Sequence, residues 1–289
     1  MNARKGEIRV ENFSLDYPGH NGLTRAVSNV SLHVQPGEFV SIIGPSGCGK
    51  STFLNAIAGF LKPSSGKVLV DGGMIDGPGA DRGMVFQQYS LFPWQTVRQN
   101  VEFGLKFINV SRRQRRVVAR ALLDLAGLLP FENHYPDRLS GGMKQRVGIV
   151  RALATRPRVL LLDEPFGALD AQTRTIMQQM LTDMWQELKI SVLFVTHDID
   201  EAIFLSDRIY VMTARPGTVK AEITVPLPRP RTTATLQSNE FLALRFTLMS
   251  LIREESLKAM STERDQPDPD TRSHGTELGS SIAEVLATY

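Results

Sequence analysis

The chain has 289 residues, a formal net charge of +3 and a hydrophobic fraction of 42%. That length suits one large domain or two modest ones, and the apolar fraction is enough for a substantial core. The nearly balanced charge does not imply a polyanionic partner, and a single cysteine, Cys48, excludes an intrachain disulfide and suits a reducing compartment. Because no apolar run approaches the length of a membrane span, we expect a soluble, cytoplasmic protein. Any membrane role would have to come through a partner.

Short apolar segments separated by turns occupy the first forty residues and predict strands at 8–10, 31–34 and 39–43. The third segment leads into a glycine-rich stretch that fits the pattern G-x-x-x-x-G-K-[ST], and helix-like residues 52–59 follow it. A strand, such a loop and a helix in this order form a phosphate-binding loop, or P-loop. Its residues are Gly44, Pro45, Ser46, Gly47, Cys48, Gly49, Lys50, Ser51 and Thr52.

The chemistry of the P-loop follows from its residue types. Glycines let the backbone curl so that several N–H groups point at one spot, where the positive end of the following helix also lies. Lys50 supplies a mobile positive charge for the β- and γ-phosphates, and the Ser51 hydroxyl is a ligand for Mg²⁺. Cys48 suits this loop as a small filler rather than as a nucleophile. The segment therefore predicts binding of a nucleoside triphosphate.

Beyond the P-loop, a strand closed by a turn is predicted at 66–72, and helical character dominates 89–156. Residues 112–126 predict a helix with an apolar stripe along one side. Five arginines lie off this stripe. We interpret the arginines as a solvated face of the helix; the alternative is contact with a membrane or a partner. The stripe consists of Val117, Val118, Ala121, Leu122 and Leu125, and the arginines are Arg112, Arg113, Arg115, Arg116 and Arg120.

Strands and helices alternate from residue 158 onward. Apolar strands are predicted at 159–163, 192–195 and 208–212, and an amphipathic helix at 171–188. Continuous apolar strands separated by helices predict a parallel sheet covered on both faces.

The C-terminal part changes character after a proline-rich segment at 226–230. A helix is predicted over about 239–260, with one apolar side that should pack on the core. The polar stretch 261–279 is expected to be disordered. The apolar side of this helix consists of Phe241, Leu244, Leu248, Leu251 and Ile252.

Two carboxylates, Asp163 and Glu164, end the buried strand at 159–163. The carboxyl end of a parallel strand is where ligands bind in α/β sheets. Asp163 is placed to hold Mg²⁺ opposite Ser51, and Glu164 to polarise an attacking water. The alternative is a solvated acidic pair in a loop, but two adjacent carboxylates at this position are costly unless a cation offsets them.

A third motif, LSGGMKQR at 139–146, precedes helix-like residues 147–154. Ser140 is a suitable cap for that helix, and Gly141 and Gly142 leave backbone N–H groups open at its positive end. Taken alone, the motif indicates no more than a capped helix after a turn.

Together, this motif and the P-loop resemble the ATP-binding subunits of ABC transporters over residues 7–230. The resemblance implies further site residues. Tyr17 resembles the aromatic residue that stacks on adenine, and Gln87 the Q-loop glutamine that contacts Mg²⁺ and the attacking water. Asp170 resembles the D-loop aspartate, and His197 the switch histidine that contacts the γ-phosphate. Taken singly, each has a plainer interpretation: a surface aromatic for Tyr17, a helix cap for Asp170 and a loop histidine for His197.

The resemblance implies an α/β fold of the P-loop NTPase (RecA-like) type. Its mostly parallel sheet carries an N-terminal antiparallel β-subdomain and an inserted α-helical subdomain, which is the ABC ATPase fold. The ATP-binding domain is expected to span 1–230, with its core at 1–88 and 157–230 and the helical subdomain at about 89–156. Residues 231–289 are expected to form a helical appendage and a disordered tail.

The resemblance also implies ATP and Mg²⁺ as ligands and a second ATPase subunit as partner, either another copy or a paralogue. In the family two subunits pair head to tail, so the P-loop of one faces Ser140 and Gly142 of the other with ATP between them. ATP binding then closes the pair, and hydrolysis releases it.

The chain also resembles the importer subfamily that serves sulfonates, taurine, nitrate, bicarbonate and some thiamine precursors. The resemblance lies in the segments 77–88, 91–94, 97–101, 204–209 and 214–217. This implies a peripheral subunit at the cytoplasmic face of the inner membrane. Transmembrane permease subunits should dock near 87–94, and a periplasmic or lipid-anchored solute-binding protein should act indirectly. Ordinary packing is the alternative for the aromatic residues at 92–94.

Other functional classes fit less well. A nucleic-acid-associated ABC ATPase would carry a long coiled-coil insertion or a second ATPase domain, and a net charge of +3 offers little phosphate-binding surface. A non-hydrolysing scaffold is disfavoured because Glu164, Gln87 and His197 are all in place. An exporter is disfavoured because exporters usually fuse membrane helices to this domain.

Overall fold

The computed structural model describes residues 5–19 and 22–264. Within these residues the chain forms ten strands and seven α-helices. The strands are β1 (Ile8–Gly19), β2 (Gly22–Val34), β3 (Phe39–Ile43), β4 (Ser65–Val70), β5 (Gly73–Met74), β6 (Arg82–Val85), β7 (Val159–Asp163), β8 (Ser191–Val195), β9 (Arg208–Met212) and β10 (Val219–Thr224). The helices are α1 (Lys50–Ala58), α2 (Val97–Glu102), α3 (Arg112–Leu125), α4 (Gly141–Ala154), α5 (Ala171–Leu188), α6 (Ile199–Leu205) and α7 (Asn239–Arg264).

The larger sheet has six strands in the order β10-β9-β3-β8-β7-β6. The five strands from β9 to β6 are parallel, and β10 pairs antiparallel with β9. Every residue of β3, β7 and β8 is buried. Alternate residues of these strands belong to two apolar cores, one under α4, α5 and α6 and the other under α1 and the second sheet. The parallel sheet covered on both faces, predicted from the continuous apolar segments, is confirmed.

The strand order brings three loops together at one edge of this sheet. β8 lies between β3 and β7, and in the register Val195 of β8 pairs with both Ile42 of β3 and Asp163 of β7. Parallel neighbours end at the same edge. The P-loop, Glu164 and His197 follow these three strands, so the fold places them side by side.

The smaller sheet is antiparallel, in the order β2-β1-β4-β5, as the resemblance implied. It packs on α1, where the rings of Phe13 and Phe53 meet edge to face with centroids 5.1 Å apart. β1 and β2 contain 12 and 13 residues, so the strands predicted at 8–10 and 31–34 are too short. Register shifts around Asn12, which has φ of 48°, interrupt the alternation of apolar and polar residues in β1.

The segment predicted to be helical contains α2, α3 and α4. The predicted apolar stripe of α3 is buried only in part, with Val118 and Leu122 packed against the core. Ala119 and Leu123 are the residues of α3 buried in the core, whereas Val117 is 64% and Leu125 45% exposed. The predicted stripe instead lines an open groove of about 740 Å³ between α3 and the C-terminal ends of α4 and α5.

α7 packs on α6 and β9. Phe241 and Leu248 are buried in the same core as the sheet, which confirms the predicted apolar side. The helix reaches Arg264, so residues 261–264, assigned to the disordered stretch from their composition, are helical. The rest of that stretch, from 265, lies outside the described residues.

Arg231 is buried and anchors the segment between β10 and α7 to the core. The Arg231 guanidinium donates to the backbone carbonyls of Ile203, Phe204 and Ser206 at 2.9, 3.1 and 2.7 Å. These carbonyls lie at the C-terminal end of α6, where a positive charge is favourable. Among the helices of 5–19 and 22–264, none is both long enough and apolar enough to cross a membrane.

Candidate functional site

The P-loop connects β3 to α1 through a backbone conformation that requires glycine. Gly47 and Gly49 have φ of 74° and 97°, in the left-handed region that residues with a side chain rarely adopt. A Cβ at Gly49 would also lie 2.8 Å from Cγ2 of Val27. Gly49 caps α1 without a side-chain hydrogen bond, so the first N–H groups of that helix remain free to bind an anion.

Lys50 is buried, with its ammonium group over the P-loop. Its Nζ donates to the carbonyl oxygens of Gly44 and Pro45, both at 2.9 Å. The Sγ atom of Cys48 lies 3.9 Å from the same Nζ. Burial raises the pKa of the Cys48 thiol, which keeps it protonated and fits a filler rather than a nucleophile.

The hydroxyl of Ser51 and the carboxylate of Asp163 meet at the start of α1. Ser51 Oγ donates to Asp163 Oδ1 at 2.9 Å. Burial at the end of β7 raises the pKa of Asp163 because the charged form loses solvation. A hydroxyl and a buried carboxylate therefore lie together next to the P-loop.

Glu164, His197 and Gln87 converge beside this pair. Oε2 of Glu164 lies 3.0 Å from Nδ1 of His197 and accepts a longer bond, 3.4 Å, from Nε2 of Gln87. The backbone of Glu164 has φ of 42°, which is uncommon for a residue with a side chain, and its N–H donates to the carbonyl of Val195 at 2.9 Å. That bond fixes the turn that directs Glu164 toward the loop after β8.

Tyr17 lies on β1 at the flank of the P-loop. Its hydroxyl donates to Thr52 Oγ1 at 3.4 Å, and the residue is 37% exposed. An aromatic ring beside the first turn of α1 offers a flat face near the phosphate-binding amides.

Ser140, Gly141 and Gly142, called the signature turn below, begin α4. Ser140 Oγ accepts the N–H of Met143 at 3.4 Å, as predicted for a cap. A Cβ at Gly142 would come within 2.5 Å of Cγ2 of Thr173 on α5. Close packing of the turn on α5 therefore requires glycine at position 142.

Asp170 caps α5, which is the plainer of its two interpretations. Its Oδ1 accepts the N–H of Thr173 at 2.9 Å, and this bond lowers the pKa of Asp170.

The structure adds a charged cluster behind the site that the sequence patterns did not reveal. Arg174 donates to the carbonyl of Leu169 and to the carboxylate of Asp198. Glu201 is buried next to them, and burial raises its pKa to about 7. The only signal in the sequence was the position of Arg174 on a predicted helix, four residues after Asp170. Its acidic partners, Asp198 and Glu201, lie in a distant segment, so no local spacing pointed to them.

A P-loop on a central parallel strand, with a hydroxyl–carboxylate pair and a Glu–His–Gln cluster at the same edge, defines a P-loop nucleoside triphosphatase. Residues 27–167 match the profile of the ABC transporter family. The chain is 49% identical to the nitrate import ATP-binding protein NrtD of Synechocystis sp. over 252 residues, which cover 85% of this chain and 95% of that protein. It is also 49% identical to the taurine import ATP-binding protein TauB of Rhizobium johnstonii over 223 residues, 77% of this chain and 85% of that protein.

A solved structure shares the fold. The ATP-binding cassette MJ0796, a dimer in a post-hydrolysis state bound to ADP and Pi, is 38% identical, with a TM-score of 0.68 over 76% of this chain and 100% of that chain. The chain therefore belongs to the ABC transporter family as an ATP-binding subunit with ATPase activity.

Proposed function

We propose that this ATPase powers the uptake of a small anionic solute, such as a sulfonate, taurine, nitrate or bicarbonate, through separate membrane subunits. The observation that carries the ATP-driven part of the proposal is the convergence of Glu164, His197 and Gln87 beside the P-loop. Relatives named for nitrate import and taurine import support the class of solute. Selection among these anions belongs to the membrane and solute-binding subunits.

The nine residues of the P-loop are proposed to bind the triphosphate of ATP. The free N–H groups at the start of α1 point toward the phosphates. Lys50 exchanges its bonds to the Gly44 and Pro45 carbonyls for bonds to the β- and γ-phosphate oxygens. Tyr17 provides the ring on which adenine stacks, since it is exposed at the flank of the loop.

Ser51 and Asp163 fit a Mg²⁺ ion, with Gln87 as a further oxygen ligand. Their oxygens are hard ligands 2.9 Å apart at the phosphate end of the site. In 5–19 and 22–264 no group of three His, Cys, Asp or Glu side chains could hold a metal. Two protein oxygens are enough for Mg²⁺, which usually keeps water and substrate phosphates as its other ligands. Bound Mg²⁺ neutralises charge on the phosphates during transfer.

Hydrolysis is assigned to the Glu–His–Gln cluster. Glu164 accepts a proton from the water that attacks the γ-phosphate, because its carboxylate lies one residue beyond the Asp163 ligand. His197, 3.0 Å from that carboxylate, orients it and contacts the γ-phosphate. Gln87 orients the water from the opposite loop.

The signature turn is proposed to complete the site of a second subunit, either another copy or a paralogue. The chain carries one P-loop and one signature turn, so a single subunit holds half of each of two sites. The free N–H groups of Gly141 and Gly142 would face the γ-phosphate bound by the partner, and Asp170 would contact the partner across the interface. The dimeric cassette MJ0796 supports this arrangement.

The permease is proposed to dock on an aromatic surface next to Gln87. Trp94 is 72% exposed and packs on Phe92, whose ring also meets Phe103 with centroids 4.3 Å apart. Beside them is an open groove of about 380 Å³ under the guanidinium of Arg151. A short amphipathic helix of a membrane subunit would fill such a groove. Docked in this way, the chain would act at the cytoplasmic face of the inner membrane, and the solute-binding protein would act through the permease.

The domain division predicted from the sequence suits this mechanism. The core at 1–88 and 157–230 would bind nucleotide, and the helical subdomain at about 89–156 would carry both the signature turn and the permease surface. ATP-driven closure would then move the permease. The appendage from 231 onward is assigned no part in transport.

Reconstitution in lipid vesicles tests the proposal. The chain, its permease and its binding protein are assembled, and ATP hydrolysis and uptake of labelled nitrate, taurine and an alkyl sulfonate are measured. We expect one anion to stimulate hydrolysis and to accumulate. Uptake of none of the three, with accumulation instead of a solute that lacks an oxyanion group, would overturn the solute class. An assembly that fails to hydrolyse Mg–ATP would overturn the assignment of the catalytic cluster.

A further inference from the structure

The first turn of α5, residues 170–174, contacts three loops that carry proposed site residues. Asp170 caps it, and Thr173 packs against the signature turn so closely that Gly142 has no room for a Cβ. The turn therefore joins the loop before α5 to the half-site offered to a partner subunit.

Arg174 extends this junction to the loop that carries His197. Its Nη2 donates to the carbonyl of Leu169 at 3.1 Å, and its Nη1 to Oδ2 of Asp198 at 3.4 Å. Leu169 precedes Asp170, and Asp198 follows His197. One guanidinium thus bridges two loops that come from different strands.

The loop around His197 is fixed on both sides. Thr196 donates its hydroxyl to Glu201 at 2.8 Å and accepts the N–H of Asp198 at 3.0 Å. Asp198 caps α6 by accepting the N–H of Glu201 at 3.1 Å. His197 lies between these two anchored residues, so its position depends on the anchors.

Charge explains why an arginine is needed at this point. Burial, with a smaller contribution from the negative charge of Asp198, raises the pKa of Glu201 to about 7. Nε of Arg174 lies 3.6 Å from Glu201, where it offsets the negative charge. Asp200 points away and pairs with Arg245 of α7 at 2.9 Å.

We propose that Arg174 is a positioning residue that holds the Asp170 turn and the His197 turn in a fixed relation. The proposal rests on the roles proposed above for His197 and the signature turn. It means that the nucleotide half-site of a subunit and the signature half-site that it offers to its partner move together. A planar guanidinium suits this task because its donors are held in one rigid fork, whereas a lysine carries a single flexible ammonium.

The test compares Arg174→Met and Arg174→Lys with Arg245→Met in the assembled transporter. Arg245 is the matched control because it also pairs with an acid of α6 but does not contact the loop before α5. For Arg174→Met we expect kcat to fall about 10- to 100-fold, the loss that small misplacements cause. KM for ATP should stay within about twofold, because the P-loop is untouched. The Hill coefficient of ATP hydrolysis by Arg174→Met should fall toward 1. The Arg174→Lys protein should give intermediate values, and the Arg245→Met protein should match the parent.

Two double variants separate positioning from other effects. Adding Arg174→Met to His197→Ala should cause no further loss, since the arginine acts through the histidine. Glu201→Gln should not restore Arg174→Met if position, rather than a stranded charge, is the cause. Losses of kcat that multiply in the double variant with His197→Ala would overturn the proposal. Recovery of kcat when Glu201→Gln is added to Arg174→Met would also overturn it. So would an Arg174→Met protein with a lower melting temperature but the kcat of the parent.

Failure of the proposed site is distinguishable from failure of this inference. A fully active His197→Ala protein would refute the role of His197. In that case the Hill coefficient of ATP hydrolysis by the Arg174→Met protein alone tests the coupling of the half-sites. A fall toward 1 supports the coupling, and an unchanged value overturns it.

Discussion

Replacing Glu164 with glutamine removes the proposed base while preserving the size and most contacts of the side chain. The amide oxygen can still accept from Gln87 and His197, which lie 3.4 and 3.0 Å from Oε2. It cannot accept a proton from water, and a positioned base contributes about 10²- to 10⁴-fold. We therefore expect kcat to fall by that factor, or about 3–5 kcal/mol in activation free energy. Nucleotide affinity should not weaken, because the adjacent negative charge that raises the pKa of Asp163 is removed.

Phosphate release at saturating Mg–ATP measures the loss, and light scattering with ATP measures pairing of subunits. The Glu164→Gln protein should remain paired with ATP, since it binds ATP but does not consume it. Glu187→Gln is the control, because that carboxylate is exposed near the end of α5. Turnover within about twofold of the parent, far less than a general base contributes, would refute the assignment.

Three further changes test other parts of the molecule. Lys50→Ala should weaken ATP binding at least about tenfold, since the proposed phosphate contact is charge-assisted; a fluorescent nucleotide titration that matches the parent would contradict this. Ser140→Ala should lower hydrolysis but leave the affinity of the single subunit nearly unchanged, and an equal loss of both would place Ser140 in its own nucleotide site instead. Arg231→Met should reduce the free energy of unfolding by about 2–4 kcal/mol, because four carbonyls lose a charged donor. Urea unfolding checks this value, and a midpoint equal to that of the parent would show that water replaces the guanidinium.

The P-loop and the two carboxylates at the end of β7 were predictable because each motif and its flanking apolar strand lie within one short segment. The predicted parallel arrangement brings the carboxyl ends of neighbouring strands to one edge. The order of the strands, which makes β3, β8 and β7 neighbours, came from the structure. Asp170 illustrates the limit of this reasoning. Its spacing fits both a cap and a partner contact, and the structure of one subunit displays the cap.

Features that depend on packing between distant segments were not predictable. The contact of Arg174 with Asp198 joins residues 24 positions apart. No local sequence pattern at either residue predicts the other as its partner. The raised pKa of Glu201 depends on burial under α5, which no local spacing encodes. Val117 of α3 fits the predicted apolar stripe yet is exposed, because α3 packs through a narrower face than its composition suggests.

The two tryptophans of the chain lie in opposite surroundings. Trp185 is enclosed in the core, between the ring of Phe39 and the guanidinium of Arg229, whose Cζ lies 4.3 Å from its centroid. Trp94 stands in solvent at the proposed permease surface. Their intrinsic emission should therefore separate into a shielded band that reports unfolding and an iodide-quenchable band that reports membrane-subunit engagement, so an unlabelled sample would give both signals.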